Sequence, residues 1–267
     1  MQAALTKTTH VMPAQAAART VSKALGRSAC GLPLAGARSA TCALCAHAGL
    51  CLPQGLSDAE RAEFIVLIAP HRRLSAGEVL YRAGETFTHL YLVKTGAFKT
   101  VVMLPDGREQ ITGFHFAGDM MGLDAMASAT HPSEAIALEG AALCAVPRVA
   151  LTQLARRIER VQTHVERLLA REVVRDQGVM LLLGRMTADE RVAVFLHSLS
   201  ARFRARGYSS QEFNLPMARE DIGNYLGLTL ETVSRALSKL RKAGVLAVDG
   251  KLIRILKPAA LQVAAQV

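Results

Sequence analysis

Residues 217–244 read Met217-Ala218-Arg219-Glu220-Asp221-Ile222-Gly223-Asn224-Tyr225-Leu226-Gly227-Leu228-Thr229-Leu230-Glu231-Thr232-Val233-Ser234-Arg235-Ala236-Leu237-Ser238-Lys239-Leu240-Arg241-Lys242-Ala243-Gly244. The apolar spacing predicts a helix over Met217 to Leu226, a turn at Gly227-Leu228, and a second helix that starts at the N-cap Thr229 and runs to about Ala243, where Gly244 ends it. Hairpin grammar follows at once: Val245 to Val248 and Lys251 to Ile255 flank Asp249-Gly250, a pair suited to a tight β-turn. Two helices joined by a short glycine-containing turn, then a hairpin, describe a winged helix-turn-helix.

On the second helix Val233, Leu237 and Leu240 form a buried stripe, and the outward residues are Glu231, Ser234, Arg235, Ser238, Lys239, Arg241 and Lys242. An arginine donates two parallel hydrogen bonds to guanine O6 and N7, and a glutamate accepts from cytosine N4, so Glu231 and Arg235 suit adjacent base edges in a major groove. Lys239, Arg241 and Lys242 then suit phosphates. The same Glu231 and Arg235 also suit an i,i+4 ion pair on a solvated face, worth a few tenths of a kcal/mol. From Pro216 onward eight Lys and Arg stand against four acids, which favours the DNA reading.

Upstream, Thr187-Ala188-Asp189-Glu190 has the capping-box form and opens a helix toward Arg206, closed by Gly207. Before it, Val161, Val165, Leu168, Leu169, Val173, Met180 and Leu183 fall at spacings of three and four in a stretch running to about Met186. That amphipathic helix is longer than a small β domain needs, so its seam, written as Val165, Leu168, Leu169, Val173, Asp176 and Met180, is expected to meet a second copy of itself. Asp176 then opposes its own symmetry mate, and a desolvated, unpaired charge weakens such a dimer by several kcal/mol; the alternative is an Asp176 splayed to solvent or paired with Arg175 or Arg171.

Between residues 58 and 147 the pattern is strand grammar after one helix near Asp58 to Ile68. Strands are expected over Glu78 to Tyr81, His89 to Lys94, Ala97 to Leu104, Gln110 to His115 and Ala135 to Val146, with Asp106-Gly107 as a hairpin turn. Short strands at close spacing imply an antiparallel barrel or jelly roll. The fold class is therefore α+β: a flexible basic arm (1–41), a cysteine loop and β-roll sensor (42–147), helices that include the dimerisation helix (148–186), and the winged domain (187–267).

The balance of 32 Lys and Arg against 22 Asp and Glu, formally +10, points to a polyanionic partner. No run of about 20 apolar residues is free of interruption, so no membrane partner is expected. Residues 1–41 hold no acid and have the composition of a transit peptide as well as of a mobile arm. Five cysteines in 267 residues make no disulfide framework, and a cytoplasmic location is expected. Neither a phosphate-cradling glycine loop nor a nucleophile elbow nor an H-E-x-x-H helix is present, so no enzyme is expected.

Cys42, Cys45 and Cys51 form C-x2-C-x5-C, and Cys144 lies on a strand about 90 residues later. Soft sulfur donors select zinc, copper(I) or iron–sulfur clusters, and spacing alone does not separate them. Buried, unligated thiols are the remaining alternative, above all for Cys144. Cys30 reads as a free thiol of the arm and His47 as an exposed loop residue.

Gln110-Ile111-Thr112-Gly113-Phe114-His115, Asp221 to Thr229 and Glu231-Thr232-Val233-Ser234-Arg235, in the order roll, long helix, winged domain, resemble the CRP/FNR family of bacterial transcription regulators and within it the oxygen-sensing fumarate and nitrate reduction branch. The resemblance covers roughly Cys42 to Ala259. It implies a [4Fe-4S] cluster on Cys42, Cys45, Cys51 and Cys144, whose conversion by oxygen to [2Fe-2S] weakens the dimer. It also implies that Glu231, Ser234 and Arg235 read a TTGAT half-site in a palindromic operator on double-stranded DNA, and that an acid at Asp176 restrains dimerisation of the cluster-free protein. A zinc-dependent or thiol-redox regulator of the same fold is the alternative.

Many relatives with this roll bind cyclic AMP through Gly-Glu-Leu-Gly and an Arg-Ser pair. Here Gly118-Asp119-Met120-Met121-Gly122 and Pro132-Ser133 stand instead, with no Lys or Arg between Arg108 and Arg148, so no cyclic nucleotide is expected. RNA polymerase is the further partner implied, through the hairpin at Asp106-Gly107, where Arg108 replaces an expected acid.

Overall fold

The computed structural model describes Cys42, Cys45 and residues 48–265; the basic arm, Cys30 and His47 lie outside the described residues. A short α1 (Ala48–Cys51) precedes α2 (Asp58–Leu67), which Ser57 and Glu60 close with a capping box. Eight strands follow: β1 (Ala69–Leu74), β2 (Val79–Tyr81), β3 (His89–Thr95), β4 (Ala97–Met103), β5 (Glu109–Phe116), β6 (Met120–Met121), β7 (Glu134–Ala137) and β8 (Ala141–Pro147).

They pair as two antiparallel four-stranded sheets, β1-β8-β3-β6 and β2-β7-β4-β5. Both sheets contribute to one interior that holds Leu74, Leu80, Val93, Phe98, Met121 and Leu143. This is a jelly roll, and the expected barrel is corrected: the sheets keep separate edges, β5 among them. The strand expected over Ala135 to Val146 is two strands, broken at 138–140. Strand β1 went unread because Pro70, Arg72 and Arg73 break alternation, which an edge strand tolerates. The Asp106-Gly107 turn sits in a longer hairpin loop, since the ladder ends at Met103 and Glu109.

Helix α3 (Arg148–Arg157) ends where Ile158 turns extended, and α4 (Glu159–Arg185) then runs for 27 residues. Helix α5 (Ala188–Ala205) starts from the expected Thr187 capping box. The winged domain comprises β9 (Glu212–Asn214), α6 (Arg219–Leu226), α7 (Leu230–Lys242), β10 (Leu246–Asp249), β11 (Leu252–Ile255) and α8 (Pro258–Ala264). Its wing has three strands, in the order β10-β11-β9, because Phe213 pairs with Ile253. Asp249 pairs with Leu252, so the tight turn is carried by Gly250-Lys251, one residue later than expected.

Two larger cores tie these parts together. One joins Cys51, Cys144, α2, α3 and the first half of α4. The other runs without a break from Ile111, Phe114 and Phe116 of the roll to Leu226, Val233 and Ile253 of the winged domain. No helix among the described residues is long and apolar enough to cross a membrane.

Candidate functional site

The helix-turn-helix rests on two glycines that do different work. Gly227 caps α6 in the left-handed region at φ 62°, the conformation that favours glycine. Gly223 allows close approach: a Cβ there would meet the Leu228 carbonyl oxygen at 2.6 Å. Thr229 then caps α7, its hydroxyl accepting from the Thr232 amide at 3.2 Å.

On α7 Val233, Ala236 and Leu237 are buried, whereas Glu231, Arg235, Lys239, Arg241 and Lys242 are exposed and Ser234 half-buried. Glu231 and Arg235 make no ion-pair contact among the described residues; hydrogen bonds from its own backbone and from Thr229 hold the Glu231 carboxyl below its usual range, and the Arg235 charge adds to the lowering. The Arg235 guanidinium donates to the Thr232 hydroxyl at 3.2 Å. Lys239 differs from the other cations: it pairs with Asp189 at the start of α5. Sequence reasoning missed Arg219, whose guanidinium reaches the Ser234 hydroxyl at 3.4 Å and adds a cation to this face.

The four cysteines lie at the core shared by the roll and the first half of α4. Cys51 and Cys144 are buried, Cys42 and Cys45 half-buried, and none of the four forms a disulfide among the described residues. Tight turns place the first three, the Cys45 amide donating to the Cys42 carbonyl at 3.2 Å and the Ala48 amide to the Cys45 carbonyl at 3.0 Å. Strand β8 delivers Cys144 opposite Leu92. Burial, then the neighbouring Cys45, Cys42 and Cys144, push the Cys51 thiol up to about 12. Burial and Cys42 raise Cys144 to about 11, against the lowering effect of Lys94.

Burial and the neighbouring sulfurs therefore keep Cys42, Cys51 and Cys144 on the protonated side unless a cationic centre takes up the charge. Among the described residues no three His, Cys, Asp or Glu side chains are arranged to hold a single metal ion. The donor chemistry, four soft sulfurs in one apolar neighbourhood with Lys94 nearby, fits a thiolate-ligated centre.

Helix α4 is divided between two tasks. Val161 is buried, and Val165, Leu168 and Leu169 pack against the core that contains Cys51 and Cys144. The second half turns apolar groups outward: Val173 is 55% exposed and Met180 72%, with Val174 and Leu181 beside them. Asp176 is exposed within this stripe, while Arg175 pairs with Glu172.

A cavity of about 210 Å³ lies between the roll and α4, with Tyr81, Thr100, His115, Asp124 and Ser133 on one side and Glu172, Arg175 and Asp176 on the other. No cation was legible here from the roll's own residues, because Arg175 arrives from a helix some 30 positions beyond the roll. Burial, and then Arg175, push His115 down to about 3, so its ring is neutral at physiological pH. At the roll's far end Arg108 bonds Asp106 at 2.7 Å and neutralises the hairpin tip.

A family model described as Crp-like helix-turn-helix domain matches residues 190–264, and one described as cyclic nucleotide-binding domain matches residues 71–158. Transcriptional activator protein FnrA of Stutzerimonas stutzeri is 42% identical over 219 residues, 82% of this chain and 90% of that protein. The fumarate and nitrate reduction regulatory protein of Shigella dysenteriae is 42% identical over 214 residues, 80% of this chain and 86% of that protein. Among solved structures, FixK2 from Bradyrhizobium japonicum is 37% identical with a TM-score of 0.69, covering 74% of this chain and 98% of that one.

Proposed function

Because the chain belongs to the CRP/FNR family of transcription regulators, in its FNR branch, we propose that it acts as a homodimer that answers oxygen through a [4Fe-4S] cluster held by Cys42, Cys45, Cys51 and Cys144. It is a DNA-binding transcription regulator and not an enzyme. The relatives' printed names speak of anaerobic regulation and of fumarate and nitrate reduction, and the proposal extends that response to this chain.

One observation carries the reading: the core that buries Cys51 and Cys144 also holds Val161, Val165 and Leu168 of α4, while the other half of α4 presents an apolar stripe. A [4Fe-4S] centre held by the four cysteines would supply oxygen-reactive iron. The chain's own residues do the rest. Thiolates bound to that centre hold the 42–51 loop against β8, and the loop supports the first half of α4. Val173, Met180 and Leu181 then meet a second copy, and two α7 helices come to lie about one duplex turn apart, roughly 34–36 Å, on a TTGAT-type inverted repeat. Glu231, Ser234 and Arg235 read bases; Arg241 and Lys242 hold phosphates.

Two alternatives are weighed by the same residues. Thiols raised as far as those of Cys51 and Cys144 are poor nucleophiles, which disfavours a thiol-redox switch. In the roll cavity the carboxylates Asp124, Glu172 and Asp176 outnumber the single Arg175, itself engaged by Glu172, which disfavours a cyclic phosphodiester.

The test is purification without oxygen, with iron and acid-labile sulfide assays, then sedimentation and operator binding before and after air. Brown, iron-rich dimer that releases DNA on exposure to air is expected. Colourless, iron-poor protein that binds the operator in both conditions overturns the cluster, and bound zinc in its place selects the zinc regulator.

A further inference from the structure

We propose that Lys99, Gln110 and Asn224 fix the half-site spacing this protein accepts, although they belong to a contact between its sensor and winged domains and not to the face that meets DNA; the inference rests on the dimeric DNA-binding reading above. Strand β5 is a sheet edge, and an edge leaves backbone donors and acceptors open. The Asn224 side chain closes two of them as a neighbouring strand would. It accepts from the Ile111 amide at 2.6 Å and donates to the Glu109 carbonyl at 2.9 Å.

Gln110 answers from the strand, its amide nitrogen donating to the Asn224 carbonyl at 2.8 Å. Lys99 bonds Asp221 at 2.8 Å, with only 15% and 18% of the two side chains exposed. Below this polar rim Phe114 of β5 packs edge-on against Tyr225 of α6, ring centroids 5.2 Å apart. A second anchor lies on α5, where Arg202 and Arg206 both grip the buried Asp119 of the roll.

The contacts of Lys99, Gln110, Ile111 and Phe114 converge on α6, and α6 is the helix that carries α7, since the Gly223 approach to Leu228 leaves no slack between them. The winged domain is thus fastened to the roll as one body. In a two-fold dimer the separation and twist of the two α7 helices are then properties of that body. One extra base pair between half-sites shifts the second site by about 3.4 Å and turns it by roughly 35°. A fastened pair of helices cannot follow such a change, whereas a loosened pair can.

The test uses the full chain purified without oxygen and a series of duplexes in which the gap between two TTGAT half-sites grows one base pair at a time. The variants are Lys99→Met, Gln110→Ala and their double, all in the roll and away from the cysteines and α7. For the unaltered protein, affinity is expected to fall about tenfold or more when the gap departs from the best one by a base pair. For the double variant the same change is expected to cost about threefold or less, with little change at the best gap. A double variant as selective for gap length as the unaltered protein overturns the proposal, as does uniform weakening at every gap. An unaltered protein that binds none of the duplexes takes down the DNA-binding reading itself, and this inference with it.

Discussion

The His164 side chain of α4 hydrogen-bonds the backbone of Cys51. One ring nitrogen, Nε2, is buried without a partner, so the ring is held on its other side against the cysteine loop. This is a direct polar tie between the thiol-bearing loop and the helix that presents the apolar stripe. It makes His164 a positioning residue. His164→Leu keeps an apolar body in the site and leaves the Cys51 carbonyl unsatisfied, at a cost of about 1 kcal/mol. In oxygen-free protein, iron content is expected to stay near that of the unaltered chain while dimer dissociation rises about fivefold by sedimentation. Parallel loss of iron and dimer shows instead that His164 merely supports the loop.

Asp119 is the anchor on which α5 turns. Burial alone would raise its carboxyl, and the charges of Arg202 and Arg206 outweigh that and hold it below the usual range. Asp119→Asn leaves two half-buried guanidinium groups without their counter-charge, and about 1–3 kcal/mol of stability is expected to be lost. The pH dependence has a definite sign. A depressed carboxyl contributes its stability in full above the unfolded value of about 4, and loses it as pH falls through the folded value. Urea denaturation from pH 6 down to pH 3 checks this: the unaltered chain converges on Asp119→Asn in acid, and a constant gap between the two across that range contradicts the assignment.

Local chemistry explains what was readable. The N-cap Thr229, the left-handed Gly227 and the capping box at Thr187 act within four residues of themselves, so α5, α6 and α7 stood in the sequence almost to their ends. The cysteine set was legible because spacing and donor type survive without coordinates. What escaped depends on partners far along the chain. Strand β1 exists because β8 pairs with it, across a bulge, and nothing in Ala-Pro-His-Arg-Arg-Leu announces that. Asn224 reads as one polar position of a helix, yet its bonds go to residues 113 and 115 positions earlier. In the sequence Arg175 stands only as a partner for Asp176, yet it lines the cavity between roll and helix and pairs with Glu172. Half of the expected seam faces the protein's own core for the same reason: periodicity marks an apolar face and does not say what covers it.

Asp176 stands in the exposed part of that seam and has no ion pair among the described residues, because the neighbouring Arg175 is taken by Glu172. Bringing two copies together therefore places an unneutralised carboxylate near its mate, at a desolvation cost. Asp176→Ala removes it and leaves Val173 and Met180 to pack. In air, where the unaltered chain is expected to be monomeric, the variant is expected to dimerise at least about tenfold more tightly, a gain of about 1.4 kcal/mol. Sedimentation at several concentrations reads this directly, and a variant that stays monomeric in air removes Asp176 from the switch.

Exposed cations on α7 are not equivalent, and salt dependence separates them. Arg235 donates to the Thr232 hydroxyl, makes no ion-pair contact among the described residues and is exposed, so its guanidinium is available to a base edge. Arg235→Ala is expected to cost about 1–3 kcal/mol, concentrated at one base pair of the half-site. Arg241 has no ion pair among the described residues, and Arg241→Ala should weaken all sequences alike and reduce the slope of log affinity against log salt by about 1. Lys239 already shares its charge with Asp189, and binding a phosphate requires giving up that exposed pair, worth at most about 1 kcal/mol. Lys239→Ala is therefore expected to change the slope by less than Arg241→Ala does. The single change Asp189→Asn, with Lys239 intact, should steepen the slope, because it frees the ammonium for DNA. Binding isotherms over a salt series decide it: equal slopes for the Lys239 and Arg241 variants, with no effect of Asp189→Asn, would mean that the Asp189 pair opens freely on DNA and that the two cations serve phosphates alike.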